Sequence, residues 1–87
     1  MNNEKRALVT WIVYMLECAD NTLYTGITND LDRRLAAHAA GKGARYTKGR
    51  GPFRLMYSET CAGRAEASWR ETAIKLLDWA TKLRLCS

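Results

Sequence analysis

The 87-residue sequence lacks several features that mark other classes of protein. It has no run of about eighteen apolar residues, so it predicts no membrane-spanning helix. No charged segment followed by an apolar one predicts secretion. Its three cysteines are odd in number and form no Cys-x-x-Cys pair, which argues against a disulfide framework or a thiolate zinc site. We therefore expect a cytoplasmic protein with reduced thiols.

Acidic residues are missing from one long part of this basic chain. The net charge is +5, and residues 33–58 contain lysines and arginines but no aspartate or glutamate. Residues 41–52 hold four glycines and the one proline of the chain, so we expect a flexible loop there. Such a loop is either a solvated surface or a surface that follows nucleic-acid phosphates, with Tyr46 or Phe53 available to stack on a base. The candidate residues for contacts with nucleic acid are Arg33, Lys42, Arg45, Tyr46, Lys48 and Arg50.

Apolar periodicity predicts an α/β fold in the order strand, strand, helix, strand, helix, helix. The turn-forming pair Asp20-Asn21 separates the first two apolar runs, and this pattern is typical of a β-hairpin. Asn29 or Asp30 suits the N-cap of the first helix, and Asp78 suits the N-cap of the last one. We expect strands at about 10–18, 22–28 and 53–60, and helices at about 30–40, 64–77 and 79–85.

These elements fit one compact domain that covers residues 1–87, with its core at about 10–85. A chain of this length has little room for a second core. We therefore expect a three-stranded antiparallel sheet flanked by three helices, with space for one active site.

Tyr14 and Tyr24 lie on the two strands of the predicted hairpin. A tyrosine in an apolar strand most often packs its ring in the core while its hydroxyl finds a partner, and this is the simplest interpretation of both residues. A functional interpretation requires both hydroxyls on one face of the sheet. Because side chains alternate along a strand, a loop with an odd number of residues places them together, whereas an even number separates them. The sequence permits either arrangement.

Arg34 and His38 are four residues apart in the first predicted helix, so they share one helix face. They could form a solvated polar stripe, since His38 is the only histidine and its neighbours are alanines. Alternatively, arginine suits a bidentate contact with phosphate, and a neutral imidazole can take a proton from a tyrosine or from water. The pattern therefore predicts either an exposed surface or part of a phosphoryl-transfer site.

The ordered set of Tyr14, Tyr24, Arg34 and His38, followed by Glu71 on a helix, resembles the GIY-YIG nuclease superfamily over residues 10–85. The sequence is most similar to the small stand-alone bacterial members, the uncharacterised protein family 0213. The resemblance implies that these five side chains converge on one catalytic site. It also implies an odd-numbered hairpin loop, because both tyrosine hydroxyls must reach that site.

The two motifs that give the family its name are modified here. The first reads Ile12-Val13-Tyr14 in place of Gly-Ile-Tyr, and the second has Thr25 at its middle position before Gly26. Neither change touches a tyrosine hydroxyl, so the catalytic interpretation stands. Gly26 would share a sheet face with the tyrosines, where we expect a bare patch that a phosphate of the nucleic acid can approach.

Periodicity and the resemblance place Glu71 differently. Periodicity leaves Glu71 solvated and paired with Lys75 four residues later. The resemblance implies an inward face on which Glu71 is flanked by Ala67 and Ile74, and we follow it. A single carboxylate completed by water and phosphate suits Mg²⁺ or Mn²⁺. The apolar stripe that periodicity would bury instead consists of Ala65, Trp69, Ala73 and Leu76.

Together these features predict a Mg²⁺- or Mn²⁺-dependent DNA endonuclease that prefers single-stranded or branched DNA and acts as a monomer or weak dimer. Tyr14, directly or through His38, would deprotonate the attacking water, and Arg34 would stabilise charge on the phosphoryl oxygens. Tyr24 would orient the water or the phosphate, and Glu71 would hold the metal. One alternative is a non-catalytic nucleic-acid-binding module in which the tyrosines only pack. Another is an adaptor that binds a partner protein through exposed tryptophans.

Overall fold

A computed structural model describes residues 10–87, which form a three-stranded antiparallel sheet with helices on both faces. The strands and helices, and their order along the chain, confirm the predicted α/β fold class. Residues 1–9, which the single-domain prediction included, lie outside the described residues. No helix within residues 10–87 is both long and apolar enough to cross a membrane. The elements are β1 (Trp11–Glu17), β2 (Leu23–Thr28), α1 (Leu31–Ala39), β3 (Arg54–Cys61), α2 (Arg64–Lys75) and α3 (Trp79–Cys86).

The predicted hairpin is present, and its loop settles which way the tyrosines face. Residues 18–22 connect β1 to β2, so the loop has an odd number of residues. Asn21 adopts a positive φ of 67°, and the Asp20 carboxylate accepts hydrogen bonds from the backbone and hydroxyl of Thr22. The resulting register pairs Tyr14 with Gly26, two residues after Tyr24 on β2. Both tyrosines therefore lie on one face of the sheet.

The sheet, in the order β2-β1-β3, separates the hydrophobic core from the tyrosine face. Val13 and Met15 point from β1 to the face opposite Tyr14, where they pack against Ala67 and Ile74 of α2. The first helix, α1, lies on the tyrosine side, where His38 contacts Tyr14. The three cysteines are free thiols, as expected. Packing and candidate chemistry therefore occupy opposite faces of one small sheet.

Two helices begin at the caps that the sequence predicts. The Asp30 carboxylate accepts a hydrogen bond from the backbone N–H of Arg33 at 3.2 Å. The Asp78 carboxylate accepts one from the backbone N–H of Thr81 at 2.8 Å. Each bond satisfies a backbone donor that has no partner within its helix. The cap at Asp30 fixes the start of α1, and with it the positions of the candidate residues on that helix.

The burial of α2 follows the resemblance rather than the apolar stripe. Ala67 and Ile74 are buried, whereas Trp69 is 74% exposed and Leu76 is 82% exposed. The periodicity-based assignment of the core face is therefore wrong. The small side chain of Ala67 lets the helix approach the sheet closely, and this fit outweighs the greater apolar area of the tryptophan.

The basic segment between α1 and β3 contains neither helix nor strand, as predicted, but it is anchored to the rest of the fold. The backbone N–H of Ala19, in the hairpin loop, donates to the Arg50 carbonyl at 2.8 Å. The Arg50 guanidinium forms an ion pair with Asp20 and lies 4.4 Å above the Tyr46 ring. Thr47 is buried between these contacts and α1. The loop is therefore held in several places rather than freely flexible.

Candidate active site

Three of the candidate residues meet at the hydroxyl group of Tyr14. The Tyr14 hydroxyl lies 2.7 Å from His38 Nε2, and Arg34 Nε donates a hydrogen bond to the same oxygen at 3.2 Å. Strand β1 supplies the tyrosine, and the spacing of four residues on α1 brings both other side chains to it. The phenol is therefore held between a cation and a titratable ring.

The protons in this cluster can be assigned from its hydrogen bonds. The Thr47 hydroxyl donates to the Ala44 carbonyl at 3.1 Å, and His38 Nδ1 lies 2.9 Å from that hydroxyl oxygen. Because the hydroxyl has one proton and uses it on Ala44, Nδ1 must be the donor to Thr47. A neutral His38 then presents Nε2 as an acceptor, and the Tyr14 hydroxyl donates to it. Tyr14, His38 and Thr47 therefore form a directed chain.

The surroundings of His38 keep its ring neutral. Burial lowers the pKa of His38, and the nearby Arg34 cation lowers this pKa further. Both effects disfavour the imidazolium, since the ring would lose hydration and face a like charge. His38 is therefore uncharged and able to accept a proton near neutral pH.

The same environment makes Tyr14 a weak acid. Burial raises the pKa of Tyr14 to about 12, and the hydrogen bond from Arg34 lowers this pKa by less than burial raises it. Neighbouring Tyr24 raises it further. At pH 7 a group with this pKa is ionised in only about one molecule in 10⁵. Tyr14 is therefore protonated near neutral pH, with its hydroxyl bonded to His38.

Tyr24 lies beside this cluster and is partly open to solvent. Its ring centroid is 6.3 Å from that of Tyr14 and 5.2 Å from that of His38. On its other side it stacks with Tyr46, at 5.9 Å between centroids and an interplanar angle of 22°. Arg50 also lies over the Tyr46 ring. Tyr46 is 43% exposed, and the stacking of a nucleobase on its ring stays a prediction.

Two glycines make room for the rings of the cluster. A side-chain carbon at Gly26 would stand 2.6 Å from the Tyr14 hydroxyl oxygen and 3.0 Å from a ring carbon of Tyr24. One at Gly43 would stand 2.3 Å from His38 Nδ1. The expected bare patch at Gly26 is therefore wrong, because the two tyrosines fill the space that the missing side chain leaves.

Sequence reasoning missed Thr47 and Gly43, which support His38 from the basic loop. The Thr47 hydroxyl oxygen accepts a hydrogen bond from His38 Nδ1–H. Because Gly43 has no side chain, the backbone of the loop can pass against the imidazole ring. A threonine and a glycine inside a glycine-rich segment carry no spacing signal that could link them to a helix residue. Only the path of the loop across α1 brings them to the histidine.

Glu71 is not part of the hydrogen-bonded cluster. Its half-buried carboxylate pairs with Lys75 at 3.2 Å, the contact that helical periodicity predicts. Within residues 10–87, no hydrogen bond or ion pair joins it to Tyr14, Arg34 or His38. The same residues include no group of three or more histidine, cysteine, aspartate or glutamate side chains that could hold a metal. A divalent cation would fit Glu71 only with water and a substrate phosphate completing its ligands.

The concave surfaces beside the cluster differ in character. A cavity of about 600 Å³ lies on the His38 and Thr47 side, between α1 and the basic loop, with Phe53 and Leu55 in its wall. A depression of about 300 Å³ borders Arg34, and its lining from the described residues has two arginines, one carboxylate (Asp30) and no apolar side chain larger than alanine. The polar depression at Arg34 is the better place for a phosphate group.

The predicted nucleic-acid contacts form two groups. The side chains of Arg33, Lys42, Arg45 and Lys48 are exposed and free to meet a polyanion. Arg50 is half-buried and already paired with Asp20, a carboxylate that lies 30 residues away in the sequence. The structure thus leaves three exposed cations on the basic loop itself, which are Lys42, Arg45 and Lys48.

Comparison with known proteins supports the relationship that the motifs indicate. A sequence model described as the GIY-YIG catalytic domain matches residues 10–83. A UPF0213 protein of Desulfotalea psychrophila is 54% identical over 76 residues, which are 86% of this chain and 69% of that protein. A UPF0213 protein of Nitratidesulfovibrio vulgaris is 54% identical over 65 residues, which are 75% of this chain and 59% of that protein.

A solved structure is also similar. The solution NMR structure of a UPF0213 protein from Bacillus halodurans is 47% identical and superposes with a TM-score of 0.56. The match covers 87% of this chain and 81% of that one. Motif order, fold and sequence identity agree, and the chain therefore belongs to the GIY-YIG catalytic domain family, a family of nucleases.

Proposed function

We propose that this protein is a metal-dependent endonuclease that hydrolyses phosphodiester bonds in DNA and prefers single-stranded or branched DNA. The observation that carries the proposal is the Tyr14 hydroxyl, held 2.7 Å from His38 Nε2 and 3.2 Å from Arg34 Nε. A proton acceptor and a fixed positive charge on one phenol oxygen are the groups that phosphoryl transfer to water needs.

The proton path follows the directed hydrogen-bond chain. The attacking water gives a proton to the Tyr14 oxygen while Tyr14 gives its own proton to His38 Nε2. The Nδ1 proton stays on the imidazole, and its hydrogen bond to the Thr47 hydroxyl oxygen keeps the ring in place. This relay needs no free phenolate, so it operates even though the pKa of Tyr14 is about 12. Tyr24, which is half-buried beside both rings, would orient the water.

Arg34 has guanidinium nitrogens left for the substrate. Its Nε is used on Tyr14, and the side chain borders the depression of about 300 Å³ together with Arg33. A planar guanidinium can offer its two terminal nitrogens to two phosphate oxygens at once. Charge that grows on those oxygens during attack would therefore be stabilised beside the proton relay.

Access to Tyr14 requires a local movement. Tyr14 has no exposed surface, so water can reach its oxygen only when a neighbouring side chain shifts. Arg34 and Tyr24 are both half-buried and are the neighbours able to shift as substrate binds. The same burial favours the second candidate function, a nucleic-acid-binding module in which Tyr14 is only a packed core residue.

Glu71 is the residue that would hold the metal. Bound Mg²⁺ or Mn²⁺ would act there as a Lewis acid on a phosphate oxygen, an effect worth several kcal/mol. To serve as a ligand, Glu71 has to give up its ion pair with Lys75. That pair is partly exposed, so its loss costs little free energy.

The preference for single strands comes from the shape and charge around the site. Exposed cations on an anchored loop can follow a phosphate backbone, whereas the nine-residue α1 is short for reading a major groove. One site also cuts one strand at a time. Nicked, branched or single-stranded DNA therefore suits this protein better than continuous duplex does.

The proposal is tested by incubating the purified chain with labelled single-stranded, branched and duplex DNA, in Mg²⁺ or Mn²⁺ and in chelator. We expect metal-dependent cleavage that is fastest on the single-stranded or branched DNA. The Glu71→Gln variant should bind DNA at least as tightly as wild type but lose cleavage. DNA binding without cleavage in either metal would instead establish the binding module.

A further inference from the structure

A second concave surface adjoins Tyr24 at the edge of the sheet. This groove, of about 240 Å³, runs along β2 and receives one lysine from α2 and one from α3. Strand β2 is an edge strand, so the groove is reached without passing the Tyr14 cluster. Among residues 10–87, no acidic side chain lines it. Its lining residues are Leu23, Tyr24, Thr25, Tyr46, Lys75 and Lys82.

Thr25 provides an independent sign that the groove receives a polar ligand. Thr25 is only 3% exposed, and its hydroxyl forms no hydrogen bond within residues 10–87. Buried hydroxyl groups nearly always have a partner, and one without a partner requires an explanation. The hydroxyl is enclosed at the wall of a groove that holds two ammonium groups, so a small local shift of that wall would let it donate to an anion.

Lys75 links the groove to the proposed metal ligand. Its ammonium lies 3.2 Å from the Glu71 carboxylate, and the same side chain lines the groove. When Glu71 takes a metal, this ammonium loses its partner and becomes available to an anion in the groove. In chelator Lys75 keeps its pair with Glu71, and Lys82 then supplies the charge of the groove.

We infer that this groove is a second phosphate-binding subsite, which takes a nucleic-acid phosphate next to the one that is cleaved at Tyr14. The inference rests on the proposed function, because it extends the path of the same strand. Two ammonium groups with a hydroxyl beside them match a phosphate, while the Tyr46 ring already contacts Tyr24 and Arg50. The strand would thus run from the Arg34 depression past Tyr24 to Lys75 and Lys82.

The first test removes one charge from the groove and one from the same helix outside it. Binding of a short single-stranded oligonucleotide is measured in chelator at several salt concentrations for wild type, Lys82→Gln and Arg84→Gln. Arg84 is exposed, and among residues 10–87 its side chain hydrogen-bonds only to Thr81 on its own helix. The salt slope is the steepness with which the logarithm of the binding constant falls as the logarithm of the salt concentration rises. We expect it to fall by about 0.7 for Lys82→Gln and to stay unchanged for Arg84→Gln. Equal slopes in the two variants would overturn the inference.

The second test removes the hydroxyl without changing charge. Thr25→Val should weaken oligonucleotide binding by about two- to tenfold, the size of one net hydrogen bond, without lowering the melting temperature. Thr60→Val, at an exposed position of β3, is the matched control and should change neither quantity. Wild-type affinity in Thr25→Val would contradict a role for the hydroxyl.

These measurements separate the subsite from the nuclease proposal, because no cleavage occurs in chelator. One outcome is that wild type cleaves DNA in Mg²⁺ while Lys82→Gln and Arg84→Gln show equal salt slopes. In that case the second phosphate subsite is refuted and the nuclease proposal stands. If the salt slope falls for Lys82→Gln alone but wild type does not cleave DNA, the groove binds phosphate in a protein that is a nucleic-acid-binding module rather than a nuclease. A wild-type protein that does not bind the oligonucleotide contradicts both.

Discussion

At the scale of single residues, His38 is the group to which the Tyr14 hydroxyl can pass its proton. Burial makes the phenol a weaker acid and the imidazole a weaker base, so neither group is charged near neutral pH. A proton relay between two neutral groups remains possible, because each proton leaves as another arrives. Thr47 fixes the direction of this relay through the tautomer of the ring.

The Thr47→Val substitution tests the directed chain. It removes the acceptor for the Nδ1 proton and keeps the side-chain shape, so His38 loses its fixed tautomer and orientation. We expect the DNA cleavage rate to fall at least about tenfold. This loss is part of the ~10²–10⁴-fold rate increase that a positioned general base supplies. Rates are compared with saturating DNA below the melting temperature. Thr60→Val is the control, and equal rates in both variants would show that Thr47 does not support catalysis.

The buried histidine also predicts how stability depends on pH. The pKa of His38 is lower in the folded protein than its value of about 6.5 in the unfolded chain. At a pH between these two values, the unfolded chain binds more protons than the folded protein does. His38 therefore contributes its full stability above about pH 6.5 and loses it as pH falls. The lowered carboxyl pKa values of Asp20, Glu59 and Asp78 affect stability only at more acidic pH.

The measurement is the melting temperature between pH 7 and pH 5. Since His38 is the only histidine of the chain, the wild-type melting temperature should fall over this range, and that of His38→Gln should fall less. Because the substitution itself can change stability, only the change with pH is compared. Parallel curves for the two proteins would contradict a buried neutral imidazole.

At the scale of elements, the hairpin and α1 could be predicted together, because local signals define both. Asp20-Asn21 marks the turn, Asp30 caps the helix, and a spacing of four residues aligns Arg34 with His38. The residues alone left the parity of the loop open, and only the family resemblance indicated an odd number. The structure confirms this parity.

The contact between Gly26 and Tyr14 gives the hairpin a sharp test. Gly26→Ala would place a carbon 2.6 Å from the Tyr14 hydroxyl oxygen, so the phenol has to move away from His38. We expect a loss of about 1–3 kcal/mol in the free energy of unfolding, with a fall in cleavage. In denaturant unfolding, Gly63→Ala is the control, because an added carbon there meets nothing within 4 Å. A Gly26→Ala protein as stable and active as wild type would refute the close packing.

The anchored basic loop predicts how salt acts on DNA binding. Replacing Lys42, Arg45 and Lys48 with glutamine should lower the salt slope by about 0.7 for each lost contact with a single strand. Arg50 is kept, because its ion pair with Asp20 holds the loop and its loss would mix folding with binding. The slope is measured by titration at several salt concentrations. An unchanged slope in the triple variant would show that the loop faces away from DNA.

The second helix shows where local signals fail. Its largest apolar side chains, Trp69 and Leu76, are exposed, because the contact with the sheet is made by Ala67 and Ile74. Helical periodicity measures apolar area and carries no information about how closely two elements approach. The burial of Ala67 and Ile74 could be predicted only from the family pattern around Glu71.

At the scale of the whole molecule, long-range contacts complete the candidate site and were not predictable. Thr47 reaches His38, Arg50 reaches Asp20, and two helices bring lysines to the edge of β2. Each contact depends on where a loop or a helix end crosses the sheet, which no spacing in the sequence records. The sheet keeps the hydrophobic core on the face opposite the tyrosines, and the two lysines reach the edge of β2 from helices on that core side.

The central claim is that the Tyr14 hydroxyl takes part in metal-dependent DNA cleavage. Its most direct test is the rate at which wild type, Tyr14→Phe and Tyr57→Phe cleave a labelled single-stranded oligonucleotide in Mg²⁺. The Tyr57 hydroxyl bonds to Glu59 rather than to His38, so its removal is a matched control that also reveals contaminating nucleases. We predict that Tyr14→Phe lowers the cleavage rate by a factor of about 10²–10⁴ at unchanged DNA affinity, and that Tyr57→Phe cleaves at the wild-type rate. Equal rates in all three proteins, or no cleavage by wild type, would contradict the claim.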